Sequence, residues 1–253
     1  MNCYGAGGGV ELPFGGTNGF GAAMVEHFVA LGAKVAFGDI ATAAGEALAQ
    51  RLGEDNALFI PTDITQREAV NALVGGCVQR FGVPDIVINN AGVTHVNSAM
   101  LTVDEAAFDR VFNVNVKSIY HMTQAVVPHM KTKGGGTILN IGSTAGIRPR
   151  PGLTWYNASK DAVNLLSKSM AVELGPFGIR VNAICPVIGE TALLAQFMGV
   201  PDTPENRAKF IATIPLGRLS QPKDVAQAAA FLASDEAAFI SGVEFPVDGA
   251  RTV

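Results

Sequence analysis

The stretch that decides the fold runs from Phe14 to Asp39 and reads FGGTNGFGAAMVEHFVALGAKVAFGD. A glycine-rich turn is followed by an amphipathic helix, by an apolar run rich in β-forming residues, and by an acidic residue. This order is typical of the first half of a dinucleotide-binding βαβ unit. The glycines let the backbone approach a pyrophosphate, and the helix N-terminus directs N–H groups and a positive dipole end toward it.

Asp39 indicates which dinucleotide the unit prefers. It falls eighteen residues after Gly21, where a carboxylate can bond both hydroxyls of an adenosine ribose and would repel a 2′-phosphate. Ile40, Ala41 and Thr42 follow it, so no basic residue is present there to hold such a phosphate. We therefore expect NAD(H) rather than NADP(H). The alternative is an ordinary aspartate at the end of a strand.

The rest of the chain continues the alternation of strands and helices. Seven apolar β runs separated by helices predict a single-domain Rossmann-type α/β fold, a doubly wound parallel sheet of about seven strands with helices on both faces. The domain is expected to span residues 1–253, with an atypical first-strand region over 1–13. Helices are predicted over 41–53, 67–82, 102–130, 156–174 and 221–234, and strands over 57–65, 84–92, 137–143, 179–186 and 242–249.

Composition excludes several classes of protein. Hydrophobic residues make up 48% of the 253 residues and charged residues 16%, which indicates a folded, core-rich chain. The net charge of −4 and the absence of basic runs argue against nucleic-acid binding. We expect no membrane span, no secretory signal and a cytoplasmic location. Cys3, Cys77 and Cys185 are odd in number and far apart, so neither a disulfide framework nor a metal site is expected.

A second stretch, STAGIRPRPGLTWYNASK from Ser143 to Lys160, carries candidate chemistry. Tyr156 and Lys160 are four residues apart and would share one face of a helix. An ammonium beside a phenol favours the phenolate, so we expect the pKa of Tyr156 to fall from about 10 toward working pH. A tyrosine with such a pKa can act as a general acid or base. Taken alone, the pair is equally consistent with a solvated helix face.

Further motifs follow in a fixed order. They are the glycine pattern at 14–21 with Phe14 in place of a threonine, Asp39, Asp63 after the next strand, NNAG at 89–92, Asn115 within NVNVKS, Ser143, Tyr156, Lys160 and PVIGET at 186–191. In this order and spacing, residues 14 to about 250 resemble the short-chain dehydrogenase/reductase superfamily. The similar branch is that of 3-oxoacyl-carrier-protein reductases and glucose 1-dehydrogenases.

The resemblance implies an NAD(P)-dependent enzyme that acts on CH–OH groups and interconverts a secondary alcohol and a ketone. It implies that Tyr156 exchanges a proton with the substrate oxygen and that Ser143 holds that oxygen. Lys160 would bond the nicotinamide ribose, and Asn115 would support a water chain to solvent. Implied cofactor contacts are Gly15, Thr17, Asn18, Gly19, Phe20, Gly21, Asp39, Ile40, Asp63, Ile64, Asn90, Ala91, Gly92, Tyr156, Lys160, Pro186, Val187, Ile188 and Thr191.

The first strand departs from the family pattern. Pro13 removes a ladder hydrogen bond in what should be a central strand, and Glu11 places a carboxylate in or near an apolar layer. Three explanations are open: a distorted strand, an error in the start site or reading frame, or a loss of normal cofactor binding. We favour a strand that forms but is weakened.

The substrate pocket is expected to be lined by residues 94–96 and 145–153, by Val187 and by a lid over 191–214. The specific candidates for substrate contact are Ser143, Ala145, Arg150, Tyr156, Val187 and Phe197. Leu193, Leu194, Phe197 and Met198 suggest an apolar cover. Arg148 and Arg150 could receive an anionic group, although arginines beside prolines in a loop are more often solvated. His95 is expected at the pocket rim.

The partner expected for each chain is a small alcohol or ketone, together with further copies of itself. The resemblance implies a homotetramer, and the small apolar residues over 226–233 predict close helix packing. Two functional alternatives are a 3-oxoacyl-thioester reductase that uses NADPH and a non-catalytic dinucleotide-binding relative. The intact Ser143, Asn115, Tyr156 and Lys160 argue against the non-catalytic relative.

Overall fold

The computed structural model describes residues 9–191 and 194–253, without the side chain of Phe14. Seven parallel strands form one sheet in the order β3-β2-β1-β4-β5-β6-β7. The predicted α/β fold class with a seven-stranded parallel sheet is therefore confirmed. The strands are β1 Val10–Phe14, β2 Lys34–Asp39, β3 Ala57–Pro61, β4 Ile86–Asn89, β5 Gly136–Ile141, β6 Ile179–Pro186 and β7 Glu244–Val247.

Helices cover both faces of this sheet, because crossover connections between parallel strands place them there. They are α1 Gly19–Ala30, α2 Thr42–Leu52, α3 Arg67–Phe81, α4 Glu105–Phe112, α5 Ser118–Lys133, α6 Thr144–Ile147, α7 Thr154–Leu174, α8 Leu194–Met198, α9 Pro204–Ile211 and α10 Pro222–Ala233. Helices α1, α2 and α10 bury apolar side chains against one face, and α3, α5 and α7 against the other. Within the described ranges, no helix is long and apolar enough to cross a bilayer.

Strand β1 forms in the centre of the sheet, between β2 and β4, despite Pro13. It pairs with β4 from Glu11 to Phe14, but its pairing with β2 skips Leu12 and Pro13 before it resumes at Phe14. Proline has no N–H to donate, so an interrupted ladder is the physical consequence. The expectation of a strand that forms but is weakened agrees with this pairing.

Glu11 lies inside the apolar layer between the sheet and helix α1. Its register partners Val35 and Ile86 belong to the core on that face, and side chains in register share a face. Glu11 is 0% exposed, and neither of its carboxylate oxygens has a hydrogen-bond partner among the described residues. Burial, and then the charge of Asp85, raise the pKa of Glu11 well above its usual value, which favours the neutral form of the carboxyl.

The observed helices differ from the predicted ones in two details. The continuous helix expected over 102–130 is instead a 3₁₀ turn, α4, a π-helical segment over Asn113–Lys117, and α5. The lid region contains α8 and α9, which were expected only as loop. A π-helical segment often marks a functional position, because it leaves the regular hydrogen-bond ladder locally misaligned.

The small-residue face of α10 packs inside the chain. Ala226, Ala229 and Ala230 are buried in the same core as Met24 and Phe28 of α1. Close helix packing was predicted correctly for this face. Its partner, however, is α1 of the same chain, so these alanines are not free to contact another subunit.

Candidate active site

A cavity of about 580 Å³ opens at the carboxyl ends of the strands. The sheet order reverses between β1 and β4, and this reversal leaves a crevice where ligands bind in open α/β sheets. The cavity extends from Asp39 and Asp63, past Ser143 and Tyr156, to Phe197. It joins the two stretches that the sequence singled out, although they are more than one hundred residues apart.

The glycine turn leads into the exposed N-terminus of α1. Gly15 has a φ of 66°, which glycine adopts without strain, and its N–H donates to the carbonyl of Gly38 at 3.0 Å. A Cβ at Gly21 would lie 1.7 Å from the Gly15 carbonyl oxygen, so only glycine fits there. Helix α1 has no side-chain cap and no acidic residue in its first turn. This N-terminus fits a pyrophosphate, since its N–H groups are not occupied by a capping side chain.

Asp39 is fixed by the turn that it faces. Its carboxylate accepts hydrogen bonds from the Thr17 hydroxyl at 2.7 Å, the Thr17 N–H at 3.2 Å and the Ala41 N–H at 3.0 Å. Thr17 therefore orients the carboxylate and does not itself line the cavity. Each carboxylate oxygen can accept more than one hydrogen bond, so Asp39 retains acceptor capacity toward the cavity.

The segment after β4 closes the floor of the cavity. Asn90 donates from Nδ2 to the Gly15 carbonyl at 2.8 Å and so ties this segment to the glycine turn. A Cβ at Gly92 would lie 3.2 Å from the Lys160 Nζ, which shows how closely the segment approaches the lysine. Asn90, Ala91 and Gly92 all line the cavity.

Ser143, Tyr156 and Lys160 come together in the middle of the cavity. Each is less than 10% exposed, although each lines the cavity wall. Ser143 precedes the short helix α6, where its hydroxyl accepts from the Ala145 N–H at 3.0 Å. The shared helix face of Tyr156 and Lys160 is observed on α7, and it is a buried face rather than a solvated one.

The pKa of Tyr156 differs from the sequence-based expectation. Burial raises it to about 12, whereas Ser143, through a side-chain hydrogen bond, and Arg150, through its charge, lower it to a smaller extent. The lowering expected from the neighbouring Lys160 ammonium is contradicted for the protein by itself, because desolvation disfavours the phenolate more strongly than the neighbours stabilise it. Tyr156 is therefore protonated at neutral pH in the protein by itself.

Lys160 is directed at the backbone of β5. Its Nζ donates to the Ile141 carbonyl at 2.7 Å, and burial lowers its pKa from 10.5 to about 8. A lysine with this pKa carries its charge at neutral pH, but its ammonium is only weakly solvated.

Asn115 lies behind the cavity wall, in the π-helical segment between α4 and α5. Its Oδ1 accepts from the Val93 N–H at 2.8 Å, and its Nδ2 donates to the Val93 carbonyl and to the Ser159 hydroxyl, each at 2.9 Å. Ser159 in turn donates to the Tyr156 carbonyl at 2.8 Å. The side chain of Asn115 thus connects the segment after β4 to helix α7 beside Tyr156.

The segment after β6 forms the opposite wall. Pro186, Val187, Ile188 and Thr191 line the cavity. A Cβ at Gly19 would lie 3.2 Å from the Thr191 side chain, so this segment crosses the N-terminus of α1. The wall therefore meets the glycine turn, and both contain residues implied as cofactor contacts.

The substrate end contains aromatic side chains. The Phe197 ring lies 5.0 Å from the Tyr156 ring in an edge-to-face arrangement. Ala145 and Arg150 line the cavity beside them. The expectation that residues 94–96 line the pocket is corrected, because Thr94 and His95 are buried outside the cavity wall and Val96 is 62% exposed.

The apolar cover is also smaller than predicted. Phe197 faces the cavity, whereas Leu194 and Met198 turn inward and pack with Val187. Leu193 lies outside the described residues. Only one of the described residues of this cover thus reaches the main cavity.

Nearly all the predicted site residues line this one cavity; Thr17, Gly21 and Asn115 stand behind its wall. Phe210, within the predicted lid, lines the cavity as well. Arg110 and Arg251 also line it, although no segment predicted for the pocket contains them. No local motif marks these two arginines, since they reach the cavity through the tertiary fold. In the described part of the chain, no group of histidine, cysteine and acidic side chains is arranged to hold a metal ion.

Comparison with known proteins agrees with this geometry. The family described as enoyl-(acyl carrier protein) reductase matches residues 15–251. A 4-formylbenzenesulfonate dehydrogenase of Comamonas testosteroni is 44% identical over 96% of this chain and 98% of its own. A 2-(R)-hydroxypropyl-CoM dehydrogenase of Xanthobacter autotrophicus is 36% identical over 96% of this chain and 98% of its own.

A solved structure is also closely similar. The crystal structure of 3-ketoacyl-(acyl-carrier-protein) reductase from Brucella melitensis complexed with NADH has a TM-score of 0.92 and 42% identity, covering 98% of this chain and 100% of the other. The chain belongs to the short-chain dehydrogenase/reductase superfamily. It is a nicotinamide-dependent oxidoreductase that acts on CH–OH groups.

Proposed function

We propose that the protein interconverts a secondary alcohol and a ketone, with NAD(H) as cofactor and Tyr156 as general acid and base. The observation that carries this proposal is the buried set of Ser143, Tyr156 and Lys160, which lines the same cavity as the glycine turn. The bound nicotinamide would supply the hydride.

In this proposal the chain's own residues handle the substrate oxygen and its proton. During reduction the neutral Tyr156 donates its proton to the carbonyl oxygen, and its raised pKa keeps it in the proton-donating form at neutral pH. Ser143 holds that oxygen through its hydroxyl. To Lys160, charged at neutral pH, the proposal assigns the return of a proton to the tyrosine and a bond to a ribose hydroxyl. Asn115 acts as a positioning residue through Val93 and Ser159, and its part in a water chain stays a prediction.

The preference for NAD(H) is part of the same proposal. The Asp39 carboxylate faces the cavity, and the residues after it that line the cavity are Ile40 and Ala41, which carry no charge. A 2′-phosphate there would meet a fixed negative charge without a basic partner. Asp63, beyond β3, is proposed to contact the adenine.

A second candidate, a 3-oxoacyl-thioester reductase, is favoured by one specific observation. The Brucella melitensis structure, that of a 3-ketoacyl-(acyl-carrier-protein) reductase complexed with NADH, is 42% identical to this chain. The two candidates share the same hydride chemistry and differ in the group attached to the substrate carbonyl. The lead proposal is a small ketone, because Phe197 and the fully buried Leu153 bound a compact apolar space beside Tyr156.

The test is a panel of ketones, alcohols and acetoacetyl thioesters, followed by the absorbance of the reduced nicotinamide with each cofactor. Wild type and Tyr156→Phe are measured side by side. Turnover of ketones with NADH, and its loss in Tyr156→Phe, would support the proposal. A clear preference for NADPH and thioesters would replace it with the second candidate. Cofactor binding without any turnover would indicate the non-catalytic relative.

We also propose a cytoplasmic homotetramer. The exposed apolar side chains Tyr120 on α5 and Leu165 and Val172 on α7 support an interface on these helices, which the family resemblance implies. The alanine face of α10 does not contribute, since it is buried against α1. Light scattering that shows a monomer at micromolar concentration would contradict the tetramer.

A further inference from the structure

Three arginines gather at the end of the cavity that lies beyond Tyr156. Arg148 and Arg150 follow α6, and Arg251 lies after β7 near the C-terminus. Arg148 Nη1 donates to the Arg251 carbonyl at 3.0 Å, which joins the two segments across the fold. All three side chains line the same cavity as Ser143 and Tyr156.

These arginines have no acidic partner in the described residues: the ion pairs of the protein involve other cations. The carboxylates in the cavity wall are Asp39 and Asp63, which follow β2 and β3. Ser143 follows β5, three strand spacings from β2, or roughly 14 Å. This exceeds the screening length of about 8 Å at physiological salt, so the carboxylates do not neutralise the arginine end.

Arg150 is the arginine best placed to meet a substrate. Its guanidinium lies 4.6 Å from the centre of the Phe210 ring, and no acceptor in the described chain bonds to it. Burial, followed by the like charge of Arg251, lowers its pKa, while its charge lowers the pKa of Tyr156. A partly desolvated guanidinium stacked on a ring keeps its N–H edge free, and that edge matches two oxygens of a planar or tetrahedral anion.

Apolar side chains line the cavity beside Tyr156. Phe197 packs edge-to-face on Tyr156, and Leu153, fully buried, lines the wall beside them. A substrate with its carbonyl at Tyr156 would pass an apolar body along these two side chains before it reached Arg150.

We infer that the substrate is a carbonyl compound or alcohol that carries a carboxylate or sulfonate, joined to the reacting carbon through an apolar body, and that Arg150 recognises the anion. This inference rests on the proposed oxidoreductase function and specifies its substrate class. Arg251 and Arg148 raise the positive potential around the anion. None of the three guanidinium groups is ion-paired with any carboxylate that the structure describes, so an anionic ligand would supply the missing partner.

The experiment compares three ketones that differ only in the remote group: 4-acetylbenzoate, 4-acetylbenzenesulfonate and the neutral methyl 4-acetylbenzoate. We expect kcat/KM for each anionic ketone to exceed that of the ester by at least about tenfold, the equivalent of one charge-assisted hydrogen bond. Arg150→Gln should bring this ratio close to one. The ratio is the informative quantity, because loss of Arg150 also affects Tyr156 and slows both reactions.

Arg80→Gln provides a matched control, since Arg80 is exposed, pairs with Asp55 and does not line the cavity. It should leave the ratio at the wild-type value. A measurement on unmodified protein adds to this: added salt should raise KM for the anionic ketones and not for the ester.

The two proposals fail in different ways. The anionic substrate class is overturned if wild type shows equal kcat/KM for anionic and neutral ketones, or if Arg150→Gln leaves their ratio unchanged. The oxidoreductase function stands in either case. No turnover of any ketone or alcohol overturns the proposed function itself. A strong preference for acyl thioesters over all three ketones also overturns the anionic substrate class.

Discussion

Replacing Glu11 with leucine should stabilise the protein, because Glu11 is buried in the centre of the sheet without a partner. The carboxyl has no exposed surface, no hydrogen bond and two apolar register neighbours, Val35 and Ile86. A neutral polar group left unsatisfied in a core costs about 1–3 kcal/mol. Leucine has a similar volume and removes that cost, so we expect a gain of about 2 kcal/mol even below the unfolded pKa of 4.5, where the carboxyl is protonated in both states.

The gain should increase with pH. The folded pKa of Glu11 lies well above the unfolded value of 4.5, so the unfolded chain loses its proton first as pH rises. Between these two pKa values the folded state loses about 1.4 kcal/mol of stability per pH unit. Below the unfolded pKa this penalty is absent, and above the folded pKa it is constant. Leucine cannot ionise, so its advantage should be larger at neutral pH than in acid.

The assay is thermal unfolding of wild type, Glu11→Leu and Glu11→Gln across this pH range. A gain of about 2 kcal/mol corresponds to roughly 4–8 °C in Tm for a chain of this size. Glutamine keeps the unsatisfied polar group, so in acid Glu11→Gln should gain less stability over wild type than Glu11→Leu does. Glutamine cannot ionise either, so its stability relative to wild type should rise with pH as much as that of Glu11→Leu. Glu236→Gln, at an exposed position, is the control and should change little. A Glu11→Leu protein with unchanged Tm, or with a gain that does not vary with pH, would refute the burial argument.

Three further predictions concern the cavity. Asp39→Ala should lower kcat/KM with NADH by roughly 10- to 100-fold and reduce the discrimination against NADPH, since hydrogen bonds to a charged group contribute about 1.5–3 kcal/mol. Thr17→Ala, which only frees the carboxylate, should have a smaller effect; an unchanged cofactor ratio in Asp39→Ala would contradict the assignment. Tyr156→Phe should lower kcat by roughly 100- to 10,000-fold, while fluorescence still detects NADH binding. In wild type, the rate of alcohol oxidation should rise from pH 7 to about 10, because oxidation needs the phenolate and the pKa of Tyr156 is about 12. Lys160→Met should abolish turnover yet raise the free energy of unfolding by about 2 kcal/mol at neutral pH. This gain over wild type is complete below the folded pKa of Lys160, about 8, and disappears toward the unfolded pKa of 10.5. Calorimetry that shows no gain at pH 7 would count against this prediction.

Much of the fold could be predicted because its information is local. The turn from Gly15 to Gly21, the helix after it and the acidic residue at position 39 are encoded by neighbouring residues, and the structure reproduces their order. The β runs were readable because parallel strands buried on both faces are continuously apolar. The π-helical segment around Asn115 was not readable, and the Asn115 side chain there bonds to Val93 and Ser159, which are distant in sequence.

The candidate site was predictable in its residues and not in its electrostatics. The spacing of Tyr156 and Lys160 correctly predicted a shared helix face. It did not predict that both side chains are desolvated, with the tyrosine pKa raised to about 12 and the lysine pKa lowered to about 8. Spacing along a helix determines which groups are neighbours, whereas burial by other elements determines the cost of charging them.

The sequence by itself determined the class of fold, the glycine turn with Asp39, and the choice of Ser143, Tyr156 and Lys160 as the candidate reactive set. Only the tertiary structure decided that Arg251 joins Arg148 and Arg150 at the substrate end, and that Glu11 is buried without a partner. The physical reason is distance along the chain. Local motifs are set by backbone geometry over a few residues, whereas charge environments are set by side chains that the fold brings together from segments up to about one hundred residues apart.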